Sequence, residues 1–358
     1  MATLAALCSE NRKEEDIRMI TKEEIRIKNV IVHIMDSTVG LPVLSDSELE
    51  YGSDFADFLR EHIARLTAGD DMKACEFYQK ESEIYQWMAE YREENFVSFS
   101  QNIANLLYGI MNSNVDIPSA DLFVVRFRGG DQEYLALLKM NFKASYTHRT
   151  QADGDNNIND IIRYKAVLPT ETQKLSEAAI INMQTMQVQV VEKKYEVNGE
   201  KTNYFSYLFL KCSSHLSHKT KLNIVTKAIE KVQREGLDEY TACEAQMNAK
   251  CIIQEEIAEK GGFVVEDLAD KVFEENPDLR IAFQEQMEKY DMVKEEVIPQ
   301  SESTVRKYQK QHLFTDTGIE IKIPMDQYKD SKNVEFITNP DGTVSLLIKN
   351  IEHLEARY

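Results

Sequence analysis

Residues 122–142 read LFVVRFRGGDQEYLALLKMNF. Two apolar runs meet at Gly129, Gly130 and Asp131, a combination that favours two extended strands closed by a tight turn. Upstream, IRIKNVIVHIMD (residues 25–36) is another β-rich run, followed by the turn-rich VGLPVLSDSELEYG. Downstream, INMQTMQVQVVEKKYEV (181–197) and TNYFSYLFLKC (202–212) read as further strands, with a turn at Asn198 and Gly199. Between them ASYTHRTQADGDNNINDIIRYKAVLP has a polar centre, Gln151 to Asn157, which reads as the longest loop of the chain.

Helical spacing fills the rest. Phe55, Phe58, Leu59, Ile63 and Leu66 recur at steps of three and four, and a second helical stretch, residues 84–109, runs through Trp87, Met88, Tyr91, Phe96, Phe99, Ile103 and Leu107. Aromatic residues that follow the helical period belong to a core rather than to a base-stacking platform. From Ser217 to about Gln300 the chain reads as helix, broken near Gly236, Gly261–Gly262 and Asn276–Pro277. Strand returns in GIEIKIPMDQY (318–328) and in NVEFITNPDGTVSLLIKNI (333–351), where NPDG between alternating runs signals a hairpin. The expected fold is α+β: a mainly antiparallel central sheet with packed helices, an acidic helical arm and a C-terminal β-hairpin. Four segments are expected: an N-terminal extension, 1–24, read as disordered; an α+β domain, 25–234, ending in a basic helix; an acidic helical region, 235–300; and a β-rich segment, 301–358.

With 42% hydrophobic and 29% charged residues in 358, the chain has the composition of a globular protein with a sizeable core. No apolar run reaches membrane-spanning length, and the opening MATLAALCSENRKEED lacks the pattern of a secretory signal, so a cytoplasmic protein without a membrane partner is expected. Cys8, Cys75, Cys212, Cys243 and Cys251 are odd in number and form no CxxC pair, which suits free thiols.

The net charge of −19 is unevenly spread. Residues 1–138 hold 13 basic and 25 acidic groups and residues 232–358 hold 15 and 27, giving −12 in each. Residues 139–231 hold 14 and 9, giving +5. A basic middle between acidic ends can bind a polyanion locally while the ends oppose non-specific contact.

The stretch LFLKCSSHLSHKTKLNIVTKAIEKV (208–232) concentrates the candidate chemistry. Cys212, His215 and His218 are three apart, but zinc needs a fourth ligand and none stands at a readable spacing, so no metal and no cofactor are assigned. Cys212 as a nucleophile would need an orienting third group and a depressed pKa. The Asp-rich loop, with Asp153, Asp155 and Asp160, lacks the order of a calcium loop; paired with Mg²⁺ it would suit a nuclease. Phosphate-loop, dinucleotide and hydrolase signatures are absent.

At 100° per residue, Leu222, Val225, Ala228, Ile229 and Val232 share one helix face, while Asn223, Lys227, Lys231 and Arg234 share the other. Ser217 is placed to cap this helix, and Lys211, Lys219 and Lys221 add charge at its start. A row of cations behind an apolar face suits a phosphate backbone, helped by the free N–H groups of the helix N-terminus. The candidate DNA contacts are therefore Lys211, Lys219, Lys221, Lys227, Lys231 and Arg234, with Asn223 as a weaker one.

In matching order over residues 25–350, four blocks stand out: IVHIMDSTVGLPVLSDSELEYGSDFADFL, YKAVLPTETQKLSEAAIINM, FLKCSSHLSHKTKLNIVTKAIEKV and STVRKYQKQHLFTDTGIEIKIPMDQY. With them the chain resembles the bacterial nucleoid-associated protein family. The resemblance implies a non-enzymatic cytoplasmic protein that associates with DNA in the nucleoid. It supplies no defined contact motif, so the phosphate contacts above are read from the residues. Low sequence specificity is expected, because no recognition-helix pattern is present. Two rival readings stand beside this one: an interaction module whose acidic surface docks on a DNA-processing protein, and a metal-dependent nuclease. Homo-oligomerisation is left open.

Overall fold

The computed structural model describes residues 17–153, 156–329, 333–340, 343–353 and 355. Most of the N-terminal extension lies outside the described residues, as do Asp155, Asp341 and Gly342. Contacts divide the chain into a unit ending at Ser217 and a unit beginning at His218.

The first unit runs β1 (Ile25–Met35), α1 (Ser53–Thr67), β2 (Lys73–Phe77), α2 (Glu83–Ala89), α3 (Phe96–Asn112), β3 (Ala120–Gly129), β4 (Gln132–Asn141), β5 (Lys143–Asp153), β6 (Asn156–Val167), β7 (Glu177–Asn182), β8 (Val188–Val191), β9 (Tyr195–Val197), β10 (Glu200–Thr202) and β11 (Cys212–Ser214). Seven of these strands form one sheet in the order β1-β3-β4-β7-β8-β2-β11, antiparallel at every step. The hairpin of residues 122–142 supplies its second and third strands. Gly129 pairs with Gln132 across a two-residue turn, and Gly130 takes the left-handed conformation, φ +64°, that a side chain would strain.

Both faces of this sheet are covered, which explains why its strands read as unbroken apolar runs. Along β3, Leu122 and Val124 enter a core with Phe99, Ile103 and Leu107 of α3, while Phe123, Val125 and Phe127 enter another core that includes Leu59 and Ile63 of α1. On β4 and β7, Lys139 and Glu177 are fully buried as a 3.4 Å pair, and the Tyr204 hydroxyl donates to the same carboxylate at 3.0 Å. A buried pair is tolerated when its remaining bonds are made in this way.

Three expectations from sequence fail in this unit. The helical stretch 84–109 is not continuous but breaks between Ala89 and Phe96 into α2 and α3. TNYFSYLFLKC is not a strand: Phe205–Leu210 is a π-helical turn, and only Cys212–Ser214 is extended. Tyr204, Phe205, Phe209 and Leu210 are all buried, at steps of one and four that fit a helix better than a two-residue alternation. Glu192 secures the turn by accepting from the Ser206 N–H (2.9 Å) and hydroxyl (2.8 Å). Of the polar stretch 151–157, Gly154 and Asp155 lie outside the described residues, and the rest is strand: Gln151–Asp153 and Asn156–Asn157 belong to a separate two-stranded ribbon, β5–β6, whose register runs from Lys143↔Val167 to Asp153↔Asn156.

The second unit runs α4 (His218–Gly236), α5 (Glu239–Lys260), β12 (Phe263–Val264), α6 (Val265–Val272), α7 (Pro277–Glu288), β13 (Glu296–Val297), α8 (Glu302–Tyr308), β14 (Lys310–Phe314), β15 (Glu320–Pro324), α9 (Met325–Lys329), β16 (Val334–Thr338) and β17 (Val344–Ile348). The expected breaks are there: α5 ends on Gly261 at φ +78°, and α7 opens with Pro277 in its first turn. The acidic helices pack with the basic one around a single core, in which Leu222, Val225 and Ile229 meet Ile253, Leu268 and Phe283. Three antiparallel pairs complete the unit, β12–β13, β14–β15 and β16–β17, the last being the expected C-terminal hairpin.

Candidate nucleic-acid interface

Helix α4 forms because its sequence places an apolar residue every three or four positions. Leu222, Val225, Ala228, Ile229 and Val232 are all buried, as the 100° periodicity requires. Asn223, Lys227, Lys231 and Arg234 are exposed on the opposite side. Among the described residues, Lys227, Lys231 and Arg234 make no ion pair, so their charges face solvent. Lys227 and Arg234 are seven residues apart, about 10 Å along the helix axis. Glu230 lies exposed beside the row and weakens its field locally.

The other candidate residues are placed differently. Lys221 is only 13% exposed and its Nζ lies 2.6 Å from Glu295 Oε2. Lys211 belongs to the first unit, at the left-handed end of the π-turn, and donates to Glu83 Oε1 at 3.0 Å. Both would have to break an ion pair to reach a phosphate. Lys219 is exposed in the first turn of α4.

Sequence distance concealed several neighbours of α4. A cleft of about 370 Å³ flanks α4 beside Thr226 and Glu230, and its walls bring in Lys250 from α5, Lys307 and Tyr308 from α8, and His312 from β14. Lys307 is exposed. Lys250 donates to the Lys310 carbonyl at 2.7 Å, and burial lowers its pKa. Lys250 was hidden among the acidic residues of 235–300, and only the fold of the unit brings Lys307 beside α4.

The three candidate zinc ligands do not share a unit. Cys212 and His215 close the first, and His218 opens the second. The Cys212 thiol is buried and donates to the Ser206 carbonyl; its hydrogen bond with Cys75, and then its burial, push its pKa up, the opposite of what a nucleophile needs. His215 is exposed, and His218 Nδ1 accepts from the Ile298 N–H at 3.1 Å. Among the described residues no group of three His, Cys, Asp or Glu is placed to hold a metal ion. In the Asp-rich segment, Asp160 is paired with Arg149 at 3.1 Å and Asp155 lies outside the described residues. No described helix is long and apolar enough to cross a membrane.

A family model described as "Nucleoid-associated protein YejK" matches residues 31–355. A comparison with curated proteins gives no match.

Proposed function

Because the chain belongs to this nucleoid-associated protein family, we propose that it binds DNA without catalysis, through phosphate contacts made by the exposed face of α4. The observation that supports the reading is the state of Lys227, Lys231 and Arg234: exposed, without an ion pair among the described residues, and backed by a buried apolar face that fixes the helix's rotation. Duplex DNA offers one phosphate per about 3.4 Å of axis on each strand, so a row of about 10 Å spans about three of them. Lys219 and Asn223 extend the row toward the helix start, and Lys307 widens it. Lys221 is a secondary contact, because it is already paired with a carboxylate, and Lys211, in the other unit and paired in the same way, is a separate candidate. Contacts of this kind position a protein on DNA without reading its sequence, so specificity is low.

The test is a titration of labelled duplexes of unrelated sequence at several salt concentrations. Similar affinities that fall together as salt rises support phosphate binding. Affinity that ignores salt, or that differs by orders of magnitude between sequences, contradicts it. Incubation with supercoiled plasmid and Mg²⁺ or Mn²⁺ addresses catalysis: intact plasmid agrees with the proposal, and nicking or linearisation that needs the metal replaces it with the nuclease reading.

A further inference from the structure

Lys250 carries a charge that its surroundings leave unbalanced. It sits in α5, within residues 235–300, where 18 acids stand against 6 bases. Yet the positions one helical turn to either side of it are Gln246, Met247, Ile253 and Gln254, none of them acidic. Elsewhere in that stretch Lys260 and Lys271 pair with Glu256, and Arg280 pairs with Asp270. Lys250 pairs with no carboxylate among the described residues. It is half-buried, and the Lys310 carbonyl takes one of its three N–H groups at 2.7 Å. Burial lowers its pKa, as expected of a cation held out of water without a counter-charge.

Lys250 lines the cleft of about 370 Å³ beside α4, and two further basic groups stand in the same walls. Lys307 is exposed and has no ion pair among the described residues, and His312 Nδ1 lies 4.0 Å from Glu320 Oε1. Much of the remaining lining is apolar: Ile229 and Ile253 are almost fully buried, and Tyr308 adds its ring. Burial pushes the Tyr308 pKa up to about 12, so its hydroxyl keeps its proton at neutral pH. Glu230 is the single acid among the described lining residues, and as an acceptor it suits a sugar hydroxyl.

Size and charge select the occupant. Ligand sites occupy about 300–1,000 Å³, so this volume takes one compact molecule rather than a polymer. Lys250 and Lys307 against Glu230 give the lining a net charge of +1, or +2 with His312 protonated. A phosphate monoester, with a charge of about −1.5 to −2 and three acceptor oxygens, matches both that charge and the three basic groups. A triphosphate would bring surplus negative charge into an acidic unit and against Glu230. The apolar walls call for a flat ring on the ester.

We propose that this cleft binds a small organic phosphate monoester of the nucleoside monophosphate kind. Lys250, Lys307 and His312 hold the phosphate, while Ile229, Ile253 and Tyr308 take the ring. The site does not depend on DNA binding by α4.

Isothermal titration of the full chain with adenosine 5′-monophosphate should show one molecule bound per chain. Inorganic phosphate and adenosine should each bind at least about tenfold more weakly, since each fills half of the site. Adenosine 5′-triphosphate should also bind more weakly than the monophosphate. Lys250→Met keeps the apolar stem and removes the charge, so it should weaken the monophosphate by about tenfold or more while the unfolding midpoint stays at or above that of the wild type. Lys307→Gln should weaken it as well. Glu230→Gln should do the reverse, tightening the monophosphate and narrowing its advantage over the triphosphate, a gain that a damaged fold cannot produce. A wild-type protein that leaves millimolar monophosphate unbound overturns the proposal, as do Lys250→Met and Lys307→Gln variants that bind it as the wild type does. Inorganic phosphate bound as tightly as the nucleotide also overturns it, and would make the cleft a simple anion site.

Discussion

His33 is fully buried between β1 and α3: its Nδ1 accepts from the Ser45 N–H at 3.1 Å and its Nε2 lies 3.1 Å from Ser100 Oγ. Both contacts suit a neutral ring, and burial pulls its pKa from the ordinary 6.5 to about 4. The folded pKa is lowered, so the neutral ring's contribution is complete above about pH 6.5 and is lost as pH falls toward 4. His33→Gln should flatten the loss of stability across that window, although it costs about 1–3 kcal/mol at pH 7 through imperfect replacement of the bonds. Urea midpoints at pH 7, 5.5 and 4.5 check this, and parallel wild-type and variant curves would rule it out. Glu256 makes a second case at this scale. Its sequence neighbours suggest a solvated acid, yet it is 3% exposed. Burial raises its pKa, but bonds from Lys271 and Lys260 outweigh this and hold it below the ordinary value. Glu256→Gln should therefore destabilise the second unit by about 1–2 kcal/mol at pH 7, and the difference should shrink as pH falls through the carboxylate range. Thermal unfolding at pH 7 and pH 4 would show it.

At the scale of elements, the acidic helices α5 and α6 should restrain DNA binding through their exposed carboxylates. Glu255, Glu259, Glu266 and Asp267 are exposed, whereas Glu256 is structural. Replacing those four exposed acids by Gln or Asn should raise DNA affinity several-fold at low salt, with the gain fading near 0.15 M as the Debye length shrinks to about 8 Å. Fluorescence anisotropy at two salt concentrations measures it. Unchanged affinity at both would make these helices bystanders or a surface for a protein partner. Long periodic elements were readable from the sequence because burial repeats at their own period: α1, α3 and α4 stand where their apolar spacing puts them. Residues 202–212 were not readable, since a run of bulky apolar side chains is compatible with strand or helix, and the choice is made by Glu192, just past the end of β8. The β5–β6 ribbon escaped for the opposite reason. Its polar, Asn-rich far end lacks the one-sided apolar pattern by which strands are recognised, because its described side chains are exposed on both faces.

For the whole molecule, a protein of charge −19 binds DNA only if its cations are gathered and its carboxylates face elsewhere. The apolar and basic faces of α4 were legible because both lie within one helix; Lys307 and His312 as neighbours of that helix were not, because α8 and β14 reach it only through folding. The α+β class followed from the strand and helix patterns, whereas the separation at Ser217 did not. The change of charge lies after the basic helix, while the contacts change before it. The central claim is that Lys227, Lys231 and Arg234 hold DNA phosphates, and it is tested most directly by reversing all three to Glu. The buried face of α4 is untouched, so far-UV circular dichroism and the unfolding midpoint should stay close to wild type apart from repulsion near Glu230. The slope of log K against log salt on duplex DNA should become shallower by about 0.9 per lost contact, roughly 2.7 in all, with affinity collapsing at low salt. A folded triple variant that keeps the wild-type affinity and slope would contradict the claim.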